Sequence, residues 1–274
     1  MTLLLHRNAR SIDRLGKCRR RKRQLLLILM TASLCSGAVA AQDRETQARV
    51  ALEISAQARV DDFVTDVRAS GLSTFAPVAV VVRTTPDLTH LDRGNRTILV
   101  PLWHELDPAT RAVFAQRAGG DQAGHRMFER LVQQFLVIQQ AAFLLTSGGA
   151  DAYRDEADAK ALAVAYWRRQ PEGEAFLSDL LPRVVRAFQH TPDPVPGETT
   201  PSVYFNRQYA TFRREPMPCG WFRLRFILNA LVARPQVELA TRVGHPWRGE
   251  RGTHAVPSIA TTADAAEVAL DARP

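Results

Sequence analysis

Cysteine is almost missing from this chain. Three occur in 274 residues, and two of them, Cys18 and Cys35, lie in the first forty. Beyond that point only Cys219 stands, so the remaining chain holds no internal disulfide. A lone cysteine between Pro218 and Gly220 reads as a packed side chain rather than a nucleophile. Excess charge is missing too once the N-terminus is set aside. The chain carries +8, but residues 1–40 hold nine Lys/Arg against the single Asp13, which leaves 27 basic and 27 acidic residues in 41–274. A nucleic-acid binder needs a basic surface on its folded part to neutralise phosphates, so composition argues for no nucleic-acid partner. The apolar run after Arg23 is short for a comfortable membrane span, which needs ~20 residues, and an uncleaved N-terminal anchor is the alternative to a cleaved signal. There is no G-x-S-x-G elbow, no P-loop and no G-x-G-x-x-G phosphate loop. Strand-like text is scarce as well, so any sheet is small. What is present is ordinary globular usage, 46% apolar and 23% charged, which excludes a collagen and a fully disordered chain.

The first forty residues have the form of an export signal. A basic run, Lys17-Cys18-Arg19-Arg20-Arg21-Lys22-Arg23, precedes the apolar Leu25-Leu26-Leu27-Ile28-Leu29-Met30, and the small residues Ala38-Val39-Ala40 follow. A basic n-region, an apolar h-region of about ten residues and an A-x-A site define a secretory signal peptide with cleavage after Ala40. The expected location is the periplasm or the medium, with no membrane span left after cleavage. Cys35 follows Leu34 rather than a small residue, which argues against a lipoprotein. Lys22-Arg23-Gln24 after the arginines argue against a twin-arginine signal.

The mature chain reads as one domain over 41–240 and a loosely ordered, Gly/Pro/Arg/Ala-rich tail over 241–274. The fold class is α+β and mostly helical: a small sheet near residues 77–101, then a helical core. The apolar spacing from Val50 to Val67 fits a helix over 42–69. Pro77–Val82 and Thr97–Val100 are the two strands, with a turn-rich stretch from Pro86 to Asn95 between them. Asp107-Pro108 caps a helix that stops at Gly119-Gly120. Further helices are expected over 123–146, 151–169, 172–189, 204–212 and 221–232, with a proline-rich loop at 191–201.

The 123–146 helix is strongly apolar, and the adjacent Gln139 and Gln140 interrupt it. A buried amide without a partner costs about 1–3 kcal/mol, so this pair must face a cavity or another polar group. Elsewhere His104-Glu105 opens an H-E pair, but Pro108 stands where a second histidine would be, and a surface role is expected. His125 lies fourteen residues before Gln139, ~20 Å along one helix. His190, His245 and His254 fall in loops or the tail. The acidic cluster Asp155, Glu156 and Asp158 near a helix start suits the helix dipole better than acid–base chemistry.

Several motifs follow one another in a recognisable order. Glu105-Leu106-Asp107-Pro108-Ala109-Thr110-Arg111 leads to Ala118-Gly119-Gly120-Asp121. Then come Phe135-Leu136-Val137-Ile138-Gln139-Gln140-Ala141-Ala142-Phe143, Tyr153-Arg154-Asp155-Glu156-Ala157-Asp158-Ala159 and Ala165-Tyr166-Trp167-Arg168. Tyr204-Phe205-Asn206 with Tyr209, and Gly220-Trp221-Phe222, close the series. Over about 99–232 this resembles a family of exported bacterial proteins regarded as zinc metallopeptidases of the zincin type. That family's helix reads F-x-V-x-H-E-x-x-H, and a carboxylate on a later helix completes the metal site. The resemblance implies a zincin-like fold. It places the first zinc histidine at Gln139, the general base at Gln140, the second histidine at Phe143 and the third ligand at Glu156.

The departure decides the chemistry. In H-E-x-x-H the histidines stand one helical turn apart and reach one zinc, with the glutamate as base. A glutamine amide is a poor zinc ligand and no base near neutral pH, and phenylalanine cannot ligate. The expectation is therefore an exported pseudo-peptidase with no catalytic residues, no metal and no cofactor, acting as a binding protein for a peptide or protein in a vestigial cleft. The alternatives are a hydrolase with an unrecognised active site and a structural cell-envelope protein.

Overall fold

The computed structural model describes residues 43, 45–85, 88–146, 151–212 and 216–233. The expected signal peptide and the C-terminal tail lie outside the described residues. Helix α1 covers residues 45–69, as its apolar spacing predicts, and buries Ala56, Val60, Phe63 and Val67. Strands β1 (Ala79–Val82), β2 (His90–Asp92) and β3 (Thr97–Val100) form one sheet in the order β1-β3-β2. The outer pairs differ: β1 runs parallel to β3, with Val80 opposite Ile98, and β2 runs antiparallel to it, with Leu91 opposite Ile98. Alternation sets the faces: Val80, Val82, Ile98 and Val100 point into the core.

The open edge of β1 is closed by α1. The Gln57 amide accepts from Val80 N at 2.7 Å and donates to the Val78 carbonyl at 3.0 Å. One turn earlier Glu53 accepts from Val82 N at 3.1 Å, and one turn earlier again Arg49 donates to the Val82 carbonyl at 2.8 Å. Residues 49, 53 and 57 thus form a polar stripe at i, i+4, i+8 that satisfies backbone groups an unpaired edge leaves exposed.

A single 3-10 turn, Trp103–Glu105, leads into α2 (Pro108–Ala118). Asp107 caps it: its carboxylate accepts from Thr110 N at 2.9 Å, and Gly119 ends it at φ +88°. The expected long helix is α3 (Asp121–Phe128), a π-helical stretch (Glu129–Phe135) and α4 (Leu136–Thr146) in unbroken succession. The extent agrees with the periodicity, but the widened turn does not show in it, because apolar residues fill the stretch almost all round. Then follow α5 (Ala152–Arg169), α6 (Gly173–Gln189), α7 (Pro201–Phe212) and α8 (Pro216–Val232). Helix α7 begins three residues and α8 five residues before the expected starts, each at a proline that suits a first helical turn. Strand β2 falls in the stretch expected to be turns. It has three residues and exists through its pairing with β3, so it carries no run of β-formers to read.

The main core joins α1, the inner sheet face, α2 to α6 and α8. A second, aromatic cluster, Phe205, Phe212, Trp221, Phe222 and Phe226, lies between α7, α8 and the start of α5. Among the described residues no helix is long and apolar enough to cross a membrane.

Candidate functional site

Helix α4 packs against β3 on one side and α5 on another. Only five residues join α4 to α5, so the two form a helical hairpin. The Thr146 hydroxyl donates to the Asp155 carbonyl at 3.0 Å, which fixes the end of α4 beside the start of α5. Gln139, Phe143 and their apolar neighbours are buried, as a central helix requires.

Three of the four predicted positions have a partner, and the fourth, Gln139, is buried. Gln140 donates its amide to the Thr89 carbonyl at 3.2 Å, tying α4 to the residue before β2. The Thr89 hydroxyl is itself buried and unpartnered. The Phe143 ring lies under the Arg93 guanidinium, 4.8 Å from its carbon to the ring centroid. Gln139 is 3% exposed. Glu156 accepts from Lys160 one turn on, and the same ammonium lies 5.3 Å from the Phe226 ring centroid on α8. Gln140 and Phe143 thus meet the β2 end of the sheet, while the Glu156–Lys160 pair meets α8. Among the described contacts none joins Glu156 to Gln139, Gln140 or Phe143.

Lys160 is the residue that sequence reading missed. It is 1% exposed, and no spacing rule marks a lysine inside an alanine-rich helix as buried. A fully buried ammonium needs a counter-charge, and Glu156 supplies it. The ammonium repels a metal cation and competes with it for the Glu156 carboxylate.

The framing motifs have structural work. Asn206 accepts from Tyr153 N at 2.9 Å and donates to Asp151 at 2.9 Å, and Asp151 caps α5 through Arg154 N. Tyr153 lies in T-shaped contact with Phe205, Phe222 and Phe226. Burial raises the Tyr153 phenol above its ordinary range, and the nearby Arg225 offsets part of that shift. The Tyr-Phe-Asn and Trp-Phe elements therefore cap α5 and fill the aromatic cluster.

The His104-Glu105 pair lies at the surface, as expected, but Glu45 joins it. Ligand atoms of Glu45, His104 and Glu105 lie within 4.8 Å of one another, with His104 Nε2 3.1 Å from Glu45. Glu105 is also held by Arg49 and Thr84. A guanidinium on the same carboxylate repels a divalent ion, so these residues make an ion-pair network rather than a metal site. His190 is exposed, with Nδ1 2.8 Å from the Arg186 carbonyl. His245 and His254 lie outside the described residues, and so does the side chain of Cys219.

Compared with models of known families, with curated proteins and with solved structures, the chain has no match.

Proposed function

We propose that this chain is an exported, non-catalytic relative of the zincin-like metallopeptidases it resembles, and that it acts by binding. The observation that carries the reading is the state of the four motif positions. Gln140 is spent on the Thr89 carbonyl, Phe143 is packed beneath Arg93, Gln139 is buried, and the one surviving carboxylate, Glu156, is held by Lys160. Supporting evidence for the scaffold is a helix carrying positions 139, 140 and 143 that packs on a small mixed sheet, with position 156 on the following helix. An ammonium beside Glu156 supplies positive charge there without offering the open coordination position that a hydrolytic zinc requires.

The test is metal analysis and thermal melting of the mature protein. The native chain holds no stoichiometric zinc, and added zinc leaves its midpoint unmoved. The triple variant Gln139→His, Gln140→Glu, Phe143→His gains a midpoint that rises with zinc, because a ligand bound only by the folded state stabilises it. Stoichiometric zinc in the native protein, lost to a chelator, overturns the reading.

A further inference from the structure

Between α2, the π-helical stretch, α4 and α8 lies a half-open cavity of about 150 Å³. Its walls are apolar: Phe114, Met127, Leu131, Val132 and Leu224. Two cations also line it, Arg117 from α2 and Arg223 from α8. Some arginines elsewhere are matched to acids, Arg49 to Glu105, Arg130 and Arg183 to Asp179, Arg169 to Asp66, and others to a ring or a carbonyl, Arg93 to Phe143 and Arg168 to the Leu231 oxygen. Arg117 and Arg223 have no carboxylate partner among the described residues. Burial alone pushes the Arg117 guanidinium below its ordinary range, with no acid to offset the lost hydration. Its Nη1 passes so close to Gly220 that a Cβ there would stand 3.4 Å away. Gly220 and Arg223 are three residues apart on α8 and share a face. Arg117 therefore reaches from α2 to the surface of α8 at Gly220, one turn before Arg223, and both residues line the same apolar space.

We propose that this cavity binds a small carboxylate whose apolar part has the size of a phenyl ring or a six-carbon chain. An empty apolar cavity of this volume admits benzene. The apolar part fills the space among Leu131, Val132 and Leu224, and the carboxylate is held between Arg117 and Arg223 by charge-assisted hydrogen bonds. A peptide terminus suits the walls less well. Thr110 is the one other hydrogen-bonding side chain of the lining, and its hydroxyl already donates to Asp107. A peptide N–H brought here would find no side-chain acceptor but the Thr110 hydroxyl oxygen, whereas a carboxylate needs only the donors that the two arginines supply. The inference rests on the binding half of the proposed function and names its ligand class; it does not rest on the zinc half.

Calorimetric titration of the mature protein with hexanoate and 3-phenylpropionate tests it, with hexanol as the uncharged control. Both carboxylates bind, and hexanol binds at least about tenfold more weakly, the value of one charge-assisted hydrogen bond. Arg117→Gln and Arg223→Gln each weaken the carboxylates by about tenfold and leave hexanol unchanged. Val113→Phe, at the cavity wall, weakens acid and alcohol alike. Should that variant fail to fold, the acid-to-alcohol ratio and the two glutamine variants still decide. No binding of either acid up to about 10 mM, well beyond the range of a millimolar Kd, overturns the proposal. So does hexanol binding as tightly as hexanoate, or N-acetylphenylalanine binding more tightly than 3-phenylpropionate. A protein that binds no zinc and ignores both acids loses this inference and keeps its non-catalytic reading. A protein that holds zinc and takes hexanoate through its arginines supports this inference and loses that reading.

Discussion

Lys160 and Glu156 pair one turn apart on α5, with the lysine side chain 2% and the glutamate side chain 22% exposed. The lysine has left water almost entirely, and the acid keeps partial contact with it. Removing the acid alone strands a buried charge, while removing both does not. Glu156→Gln is expected to cost about 3–5 kcal/mol, and the double variant Glu156→Gln, Lys160→Met far less. Urea denaturation of the three proteins measures the coupling. Additive losses would show that the pair does not act as a unit.

If the proposed relation to the zincins holds, the same pair would compete with a metal restored at positions 139 and 143. Adding Lys160→Met to the triple variant Gln139→His, Gln140→Glu, Phe143→His frees Glu156 to ligate. Zinc affinity is expected to rise by about tenfold over the triple variant, the value of about one charge-assisted interaction. Competition against a chromogenic chelator gives the ratio. Equal affinities would mean that Glu156 does not reach the restored ion.

Gln57 stands in for a neighbouring strand. Its replacement by alanine leaves Val80 N and the Val78 carbonyl without the partners they have at 2.7 and 3.0 Å. A loss of about 1–3 kcal/mol is expected, the cost of unpairing buried backbone groups. Gln57→Glu keeps the acceptor but loses the donor, and should fall between the two. Chemical denaturation ranks the three, and light scattering tests whether the bared edge self-associates.

Gly124 is required by closeness rather than by backbone conformation. A Cβ there would stand 2.7 Å from Ala115 N and 2.8 Å from its Cα, so α2 and α3 touch backbone to backbone. Alanine improves helix propensity by up to about 1 kcal/mol, but the overlap outweighs it. Gly124→Ala is expected to lower stability by about 1–3 kcal/mol. A raised melting temperature would contradict the close approach.

The acid limb of the stability curve carries the Asp179 signature. Hydrogen bonding from Arg183 holds the Asp179 carboxyl below its ordinary value, and Arg130 adds to this. A lowered carboxylate pKa contributes stability above the unfolded-state value, and that contribution is lost as pH falls through the folded-state one. Arg183→Leu should therefore lose stability at pH 7, by no more than about 1 kcal/mol for so exposed a pair. The gap to the native protein should close below about pH 4, where the unfolded carboxyl takes up its proton. Denaturation across pH 2–7 measures it.

Export is tested by the mature N-terminus. Mass spectrometry of the periplasmic or secreted protein is expected to find Ala41 first. A cytosolic protein that retains Met1 would remove that expectation.

Local chemistry made much of this fold readable. Asp107-Pro108 and Gly119 mark both ends of α2, and the Pro77–Val82 and Thr97–Val100 runs contain β1 and β3. What was not readable depends on partners distant in sequence. Strand β2 exists because β3 lies beside it. The stripe at 49, 53 and 57 looks like any solvated helix face until β1 is placed against it. The burial of Lys160 requires the approach of α8, and the unpaired state of Arg117 emerges only when all neighbouring acids are located. Gln139 and Gln140 did announce themselves as amides in an apolar helix. The Thr89 carbonyl that Gln140 reaches lies 51 residues away, beyond any pattern rule.

The π-helical stretch from Glu129 to Phe135 bears on how this chain is aligned with any other. A π turn closes its hydrogen bonds over five residues instead of four, so it accommodates an inserted residue that an α-helix of the same course lacks. A counterpart with an uninterrupted helix between Asp121 and Thr146 would be shorter inside 129–135, and its alignment needs a gap there. Matched without that gap, either His125 and its neighbours or Gln139, Gln140 and Phe143 are assigned to the wrong helix face.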